Sequence, residues 1–201
     1  FDEAEADGTA SIPVRFESIV ADHADLVAVI DRDESISYRQ LDEWSASIAA
    51  ELAARCGSIQ DRGVVVAGPR SAATIASMLG VVRAGGWFVP MDPDIPGDQR
   101  TRQLESCRPV AMLASDGVAG IEEEIVTLDP HVLRDGSGAA LPETRITGGS
   151  AFYAMFTSGT TGEPRGASIP NRAVHRLIDD AWFLPEENGF RMLHAAPLAF
   201  D

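Results

Sequence analysis

The chain has 201 residues, 45% of them apolar, enough for one domain with a real core or two small ones. Acidic residues number 31 and basic residues 16, and the net charge of −15 argues against nucleic acid as a partner, because a phosphate backbone needs a basic surface. No apolar run approaches the ~20 residues that cross a bilayer, and no charged-then-apolar start suggests a signal peptide; a soluble, cytoplasmic protein with no membrane partner is expected.

Residues 1–10 are acidic and non-periodic and read as a linker or frayed terminus. Ser11 is placed to cap a helix that begins around Pro13 and buries Phe16, Ile19 and Val20 on one face. Leu26 to Ile30 is strand-like. Ser37-Tyr-Arg-Gln40 fits a capping box. The helix it opens carries Leu41, Trp44, Ile48 and Leu52 at three- and four-residue spacing, which predicts one buried face, and Gly57 suits its end.

Val64 to Ala67 is a continuous run typical of a strand covered on both faces. Ser71 to Arg83 reads as a helix with Ile75, Met78, Leu79 and Val82 inward. Gly85-Gly86 ends it, and Trp87 to Val89 is the next strand. Pro90, Pro93 and Pro96 make Met91 to Gly97 a loop. A helix is expected over Asp98 to Cys107, and strands over Val110 to Ala114 and Ile125 to Leu128. Asp129 to Gly149 is a long polar connection. A strand over Phe152 to Phe156, a loop, a helix from Asn171 to about Trp182 and a strand near Met192 to Ala196 complete the chain.

Strands alternating with helical patterns imply an α/β fold with a mainly parallel sheet covered by helices. Sites in such sheets lie beyond the carboxyl ends of strands. Cys56 and Cys107 are isolated, so reduced thiols are expected rather than a disulfide or metal site. His23, His131, His175 and His194 show no ligand spacing, and no metal-ligating residue is assigned. His175 and His194 have no carboxylate partner legible in the sequence and read as structural or surface residues.

The loop Phe156-Thr-Ser-Gly-Thr-Thr-Gly-Glu-Pro-Arg-Gly166 concentrates three glycines, four hydroxyls and one cation. Glycines let backbone N–H groups face an anion, hydroxyls donate to phosphate oxygens, and Arg165 can pair with them. A phosphate cradle and a flexible connector both fit this composition. Neither G-x-x-x-x-G-K-[ST] nor G-x-G-x-x-G is present, so the loop is not a Walker or dinucleotide fingerprint.

The residue order of the loop resembles the phosphate-loop motif of the adenylate-forming enzymes. These are the acyl- and aryl-CoA synthetases, the luciferases and the adenylation domains of nonribosomal peptide synthetases. The family usually has Lys where this chain has Arg165; the charge is kept. Ile36-Ser-Tyr-Arg-Gln-Leu41 is similar to the first core motif of peptide-synthetase adenylation domains, a strand leading into a helix. Val82 to Pro93 is similar to the second, and Pro197-Leu-Ala-Phe-Asp201 to the start of the fourth. The resemblance spans roughly residues 11–201 and implies the N-terminal part of the large subdomain of an adenylation core.

The resemblance implies a reaction of an amino acid with ATP and Mg²⁺ that gives aminoacyl-AMP and pyrophosphate. Thr157, Ser158, Gly159, Thr160, Thr161, Gly162, Arg165 and Gly166 would bind the ATP phosphates. Asp201 would bind the substrate α-amino group, with Phe200 as an aromatic wall. The product would pass to the phosphopantetheine thiol of a carrier protein in natural-product, including antibiotic, biosynthesis. In the family a mobile C-terminal domain supplies the catalytic lysine. All 16 basic residues here are arginine, so no catalytic residue is expected within the 201 residues, and this stretch alone is expected to be inactive. The rest of its own chain or an accessory protein would cover exposed sheet surface. Two alternatives are an acyl- or aryl-CoA synthetase of the same fold, against which Asp201 speaks, and a truncated, non-catalytic scaffold relative.

Overall fold

The structure, a computed structural model, describes residues 11–115, 125–136, 140–157, 165–179, 190–196 and Ala199, with backbone only at Thr157 and Arg165. Its main sheet has six strands in the order β6-β5-β3-β4-β7-β8. These are β3 (Gly63–Ala67), β4 (Trp87–Met91), β5 (Ala111–Ala114), β6 (Val126–Leu128), β7 (Ala151–Thr157) and β8 (Arg165–Pro170). Every neighbouring pair is parallel except β7 with β8. The α/β class with a mainly parallel sheet is therefore the observed one. A separate antiparallel hairpin joins β1 (Val27–Asp31) to β2 (Glu34–Ser37).

Five helices, α1 (Ile12–His23), α2 (Tyr38–Cys56), α3 (Ala72–Arg83), α4 (Gly97–Cys107) and α5 (Asn171–Asp179), are present among the described residues. The sheet alternates its side chains between two cores. Val64, Val66, Phe88 and Leu113 pack with residues of α2 and α3 on one face. Val65, Val89, Met91 and Met112 pack with Leu104 of α4 on the other. All five residues of β3 are buried, as a strand covered on both faces requires.

The capping box before α2 is formed: the Gln40 amide donates to Ser37 Oγ at 3.2 Å, and the Ser37 amide donates to Gln40 Oε1 at 2.8 Å. Leu41, Trp44, Ile48 and Leu52 line the buried face of α2. Helix α3 differs from its predicted pattern. Ala72, Ala73, Ala76, Gly80 and Val81 are buried beside Val82, whereas Ile75, Met78 and Leu79 are only partly covered. Close approach of α2 selects small residues: a Cβ at Gly80 would lie 2.6 Å from Ile48 Cγ2 and 3.0 Å from the Ser45 carbonyl oxygen. Arg83 locks the same pair. It is 5% exposed, pairs with Asp42 at 2.8 Å, donates to Ser45 Oγ at 2.6 Å and lies over the Phe16 ring.

Other boundaries also moved. β4 runs through Pro90 to Met91, so the loop begins one residue later than the prolines implied. Register between β4 and β7 is held at Phe88 and Tyr153, two residues before the proline that lacks an N–H. Residues 165–170, read as the tail of a loop, form β8, because β7 offers them a ladder. The strand expected near Met192 to Ala196 is not there: residues 190–196 are irregular and exposed, and no ladder partner for them exists among the described residues. Asp180 to Trp182, the expected end of the last helix, lie outside the described residues. The connection after β6 is tied down: Trp44 Nε1 donates to the Pro130 carbonyl at 2.7 Å, and Arg134 pairs with Glu34, holding that carboxyl below its usual range.

Candidate functional site

Five parallel strands send their carboxyl ends to one edge of the sheet, and the candidate site is built there. After β3 comes Gly68-Pro-Arg70, after β4 the Asp92-to-Pro96 loop, and after β7 the motif segment. The first of these turns is where a dinucleotide-binding fold receives phosphate, at the N-terminus of the following helix. Here two amides of that terminus already have side-chain acceptors. Asp31 Oδ2 accepts from the Ala72 amide at 2.8 Å, Ser71 Oγ accepts from the Thr74 amide at 3.3 Å, and Thr74 Oγ1 donates to the Pro69 carbonyl at 2.6 Å. A carboxylate therefore occupies the place an anion would take, in accord with the missing G-x-G-x-x-G.

The motif segment is held differently. Thr157, the last residue of β7, pairs in register with Arg165, the first of β8, and Phe156 pairs with Gly166. The two ladder ends fix the base from which residues 158–164 depart, on the carboxyl edge. Gly166 is exposed, and a Cβ there would lie 3.3 Å from Phe156 Cε1, so glycine leaves room for the ring. Ser158, Gly159, Thr160, Thr161 and Gly162 lie outside the described residues, as do Phe200 and Asp201.

A cleft of about 220 Å³ opens at the same edge, lined by Gly68, Arg70, Met91, Asp92, Asp94 and Ala199. Ala199 directly precedes Phe200 and Asp201 in the sequence. Arg70 Nη1 donates to the Ala195 carbonyl at 3.0 Å and holds this late segment against the turn after β3. Sequence reasoning missed both Arg70 and the Asp31 cap, because each acts on a partner far along the chain.

At this edge the described residues show an exposed Gly166 at a hairpin base held by the β7–β8 ladder, and the Asp31 carboxylate already at the N-terminus of α3. Among the described residues no three His, Cys, Asp or Glu side chains gather to hold a resident metal ion. Mg²⁺, which keeps much of its water and binds with phosphates, needs no such protein cage.

The histidines and cysteines stand apart. His175, which the sequence left without a carboxylate partner, pairs with Asp179 one helical turn away, Nδ1 to Oδ2 at 2.6 Å. Arg15 shares that carboxylate and, with His175, holds it below its usual range. His175 lies on α5, which follows β8 at the opposite edge of the sheet, so it is a structural group. His194 lies in the exposed irregular segment. Cys56 and Cys107 are both free. Burial raises both thiols, Cys107 to about 11, so neither is a thiolate nucleophile near neutral pH.

A mainly parallel sheet with a carboxylate at the N-terminus of α3 and the motif segment after β7 defines an α/β protein without the glycine-rich dinucleotide turn. Residues 16–201 match the family described as AMP-binding enzyme, and the chain belongs to that family. It is most like the adenylation domains of nonribosomal peptide synthetases. It is 34% identical over 196 residues to surfactin synthase subunit 1 of Bacillus subtilis (strain 168), covering 95% of this chain and 5% of that protein. It is 30% identical over 189 residues to gramicidin S synthase 2 of Brevibacillus brevis, covering 92% of this chain and 4% of that protein. The chain thus spans about one-twentieth of these relatives. The N-terminal subdomain of Klebsiella oxytoca NpsA superposes with a TM-score of 0.73 at 24% identity, over 83% of this chain and 43% of that one. The nonribosomal peptide synthetase FmoA3 gives a TM-score of 0.78 at 22% identity, over 85% and 18%. These structures share the fold.

Proposed function

We propose that residues 11–201 form the N-terminal part of the core of an amino-acid adenylating ligase. The observation that carries the reading is the joint placement of the 157–166 hairpin base and the Ala199 cleft on one carboxyl edge. In this reading the substrate carboxylate attacks the α-phosphorus of ATP, an O–P bond forms, and the bond to pyrophosphate breaks. Thr157, Ser158, Gly159, Thr160, Thr161, Gly162, Arg165 and Gly166 hold the departing phosphates. Mg²⁺ supplies neutralising charge on them. Asp201 takes the α-amino group through a charge-assisted hydrogen bond, and Phe200 walls the carboxylate.

Aminoacyl-AMP then passes to a phosphopantetheine thiol on a carrier protein. An artificially fused adenylation–PCP di-domain of Klebsiella oxytoca, NpsA-ThdA, has this fold and supports a carrier partner by analogy. The lysine that completes adenylation comes from elsewhere in the full protein, so the 201-residue stretch alone is inactive.

The test is ATP–pyrophosphate exchange by the full-length protein against a panel of amino acids and aryl acids. Exchange dependent on an amino acid supports the reading. Exchange driven only by an aryl or fatty acid replaces it with a CoA synthetase. Exchange by the 201-residue stretch alone would overturn the inactivity.

A further inference from the structure

The β7–β8 hairpin is bound more firmly to itself than to the sheet. Its strands share six register pairs, from Ala151↔Pro170 to Thr157↔Arg165. Against β4, β7 keeps one, Phe88↔Tyr153, whereas β3 and β4 share five. The cause is Pro90. β3 pairs with β4 straight through it, at Val66↔Pro90 and Ala67↔Met91, so that side needs no N–H from residue 90. Alternate residues of a parallel strand bond to alternate neighbours, so Phe88 and Pro90 both face β7. In the Phe88↔Tyr153 register an N–H at position 90 would donate to the Ala154 carbonyl and carry the ladder on, and proline has none.

Side chains hold the foot of the hairpin instead. Phe88 meets Phe152 edge-on at 5.3 Å and stacks on Tyr153 at 5.7 Å. Asn171 ties the end of β8 to the Ser150 carbonyl and the Ile12 amide. Beyond Tyr153, β7 meets β4 through apolar packing, with Ala154 and Phe156 against the cluster that holds Val89 and Met91. Apolar contact has no fixed direction, so it permits small slides that a ladder would block.

We infer that the β7–β8 hairpin is a hinged unit that pivots beside Phe88 and Tyr153, with Pro90 keeping its outer half free of the sheet ladder. That outer half is residues 154–157 and 165–168, and its own six-pair ladder makes it move as one body. The hinge lets the strand ends at Thr157 and Arg165 shift along the carboxyl edge. Its use in nucleotide binding rests on the proposed phosphate role of residues 157–166.

The test uses the full-length protein with Pro90→Ala and, separately, Tyr153→Ala. Amide hydrogen exchange is read over residues 154–157 and 165–168, and ATP association is followed by stopped flow. Pro90→Ala gains one ladder bond, so exchange over both segments should slow by about two- to tenfold. Tyr153→Ala loses the stack on Phe88, and both segments should quicken together. Unchanged exchange in Pro90→Ala overturns the inference. So does quickening in Tyr153→Ala that stops at β7 and leaves residues 165–168 as they were, and this variant decides if Pro90→Ala does not fold. A stiffened hairpin should also slow ATP association by a similar factor. Slower amide exchange with unchanged ATP association upholds the hinge and overturns its use in nucleotide binding. Wild-type protein that binds no ATP overturns the phosphate reading, and the exchange comparison still decides the hinge.

Discussion

Asn171 joins the first helix to the last described one: its Oδ1 accepts from the Ile12 amide at 3.0 Å, across 159 positions of sequence. Its Nδ2 donates to the Ser150 carbonyl at 3.0 Å, and the side chain is 1% exposed. One amide thus satisfies an orphan donor at the start of α1 and an acceptor beside β7. Replacing Asn171 by Ala leaves the Ile12 amide unpaired, while the Ser150 carbonyl keeps the backbone N–H of residue 171 at 2.9 Å; the change should cost about 1–3 kcal/mol, read as a lower urea midpoint at unchanged slope. An unaltered midpoint would show that water replaces the amide without loss.

Arg83 should be harder to replace than its surface count of charges suggests. Arg83→Met removes the partner of Asp42 and leaves Ser45 Oγ without its donor. A loss of about 3 kcal/mol is expected, with Arg83→Lys intermediate because it cannot reproduce the fork. Thermal melts of the three proteins check the order.

Asp179 gives the protein a local acid dependence. Arg15 first, and then His175, keep its carboxyl below the ordinary value of 3.8. A group whose folded value is depressed stabilises the fold above its unfolded value, and that contribution is lost as pH falls through the folded one. Wild type should therefore exceed Asp179→Asn in stability at neutral pH, and the gap should close as pH drops below about 3.8. Stability curves of both proteins from pH 7 to pH 2 measure it (roughly the span over which carboxylates titrate). A gap that persists in acid would assign the effect to packing.

Two substitutions separate the halves of the proposed site. In the full-length protein, Arg165→Ala should raise the ATP KM by roughly tenfold or more through loss of a phosphate contact. Asp201→Asn should abolish amino-acid-dependent exchange while leaving ATP binding, followed by calorimetry, in place. Equal losses on both axes in both variants would argue against a division of labour.

Much of the scaffold was legible because its signals are local. The Ser37–Gln40 box, the apolar face of α2 and the buried run of β3 need only neighbours a few residues away. The misses share a different origin. Arg165 to Pro170 has little intrinsic strand character and becomes β8 only because β7 lies alongside. The inward face of α3 is alanine and glycine, since α2 leaves no room for Ile75, Met78 or Leu79 there. Met192 and Leu193 looked like a strand but are exposed. Within the candidate site, the loop motif was readable in order and type. Arg70 and Asp31 were not, because each depends on side-chain reach to a partner far along the chain.

The Asp31 cap has a consequence for the order of assembly. The β1–β2 hairpin is a local structure, and two strands alone are marginal in water. Asp31, the last residue of β1, nevertheless closes the first turn of α3 through the Ala72 amide. That amide gains its partner only when the hairpin has docked on a sheet whose strands come later in the chain. The beginning of α3 is thus finished late, and it records when the amino-terminal third has found its place.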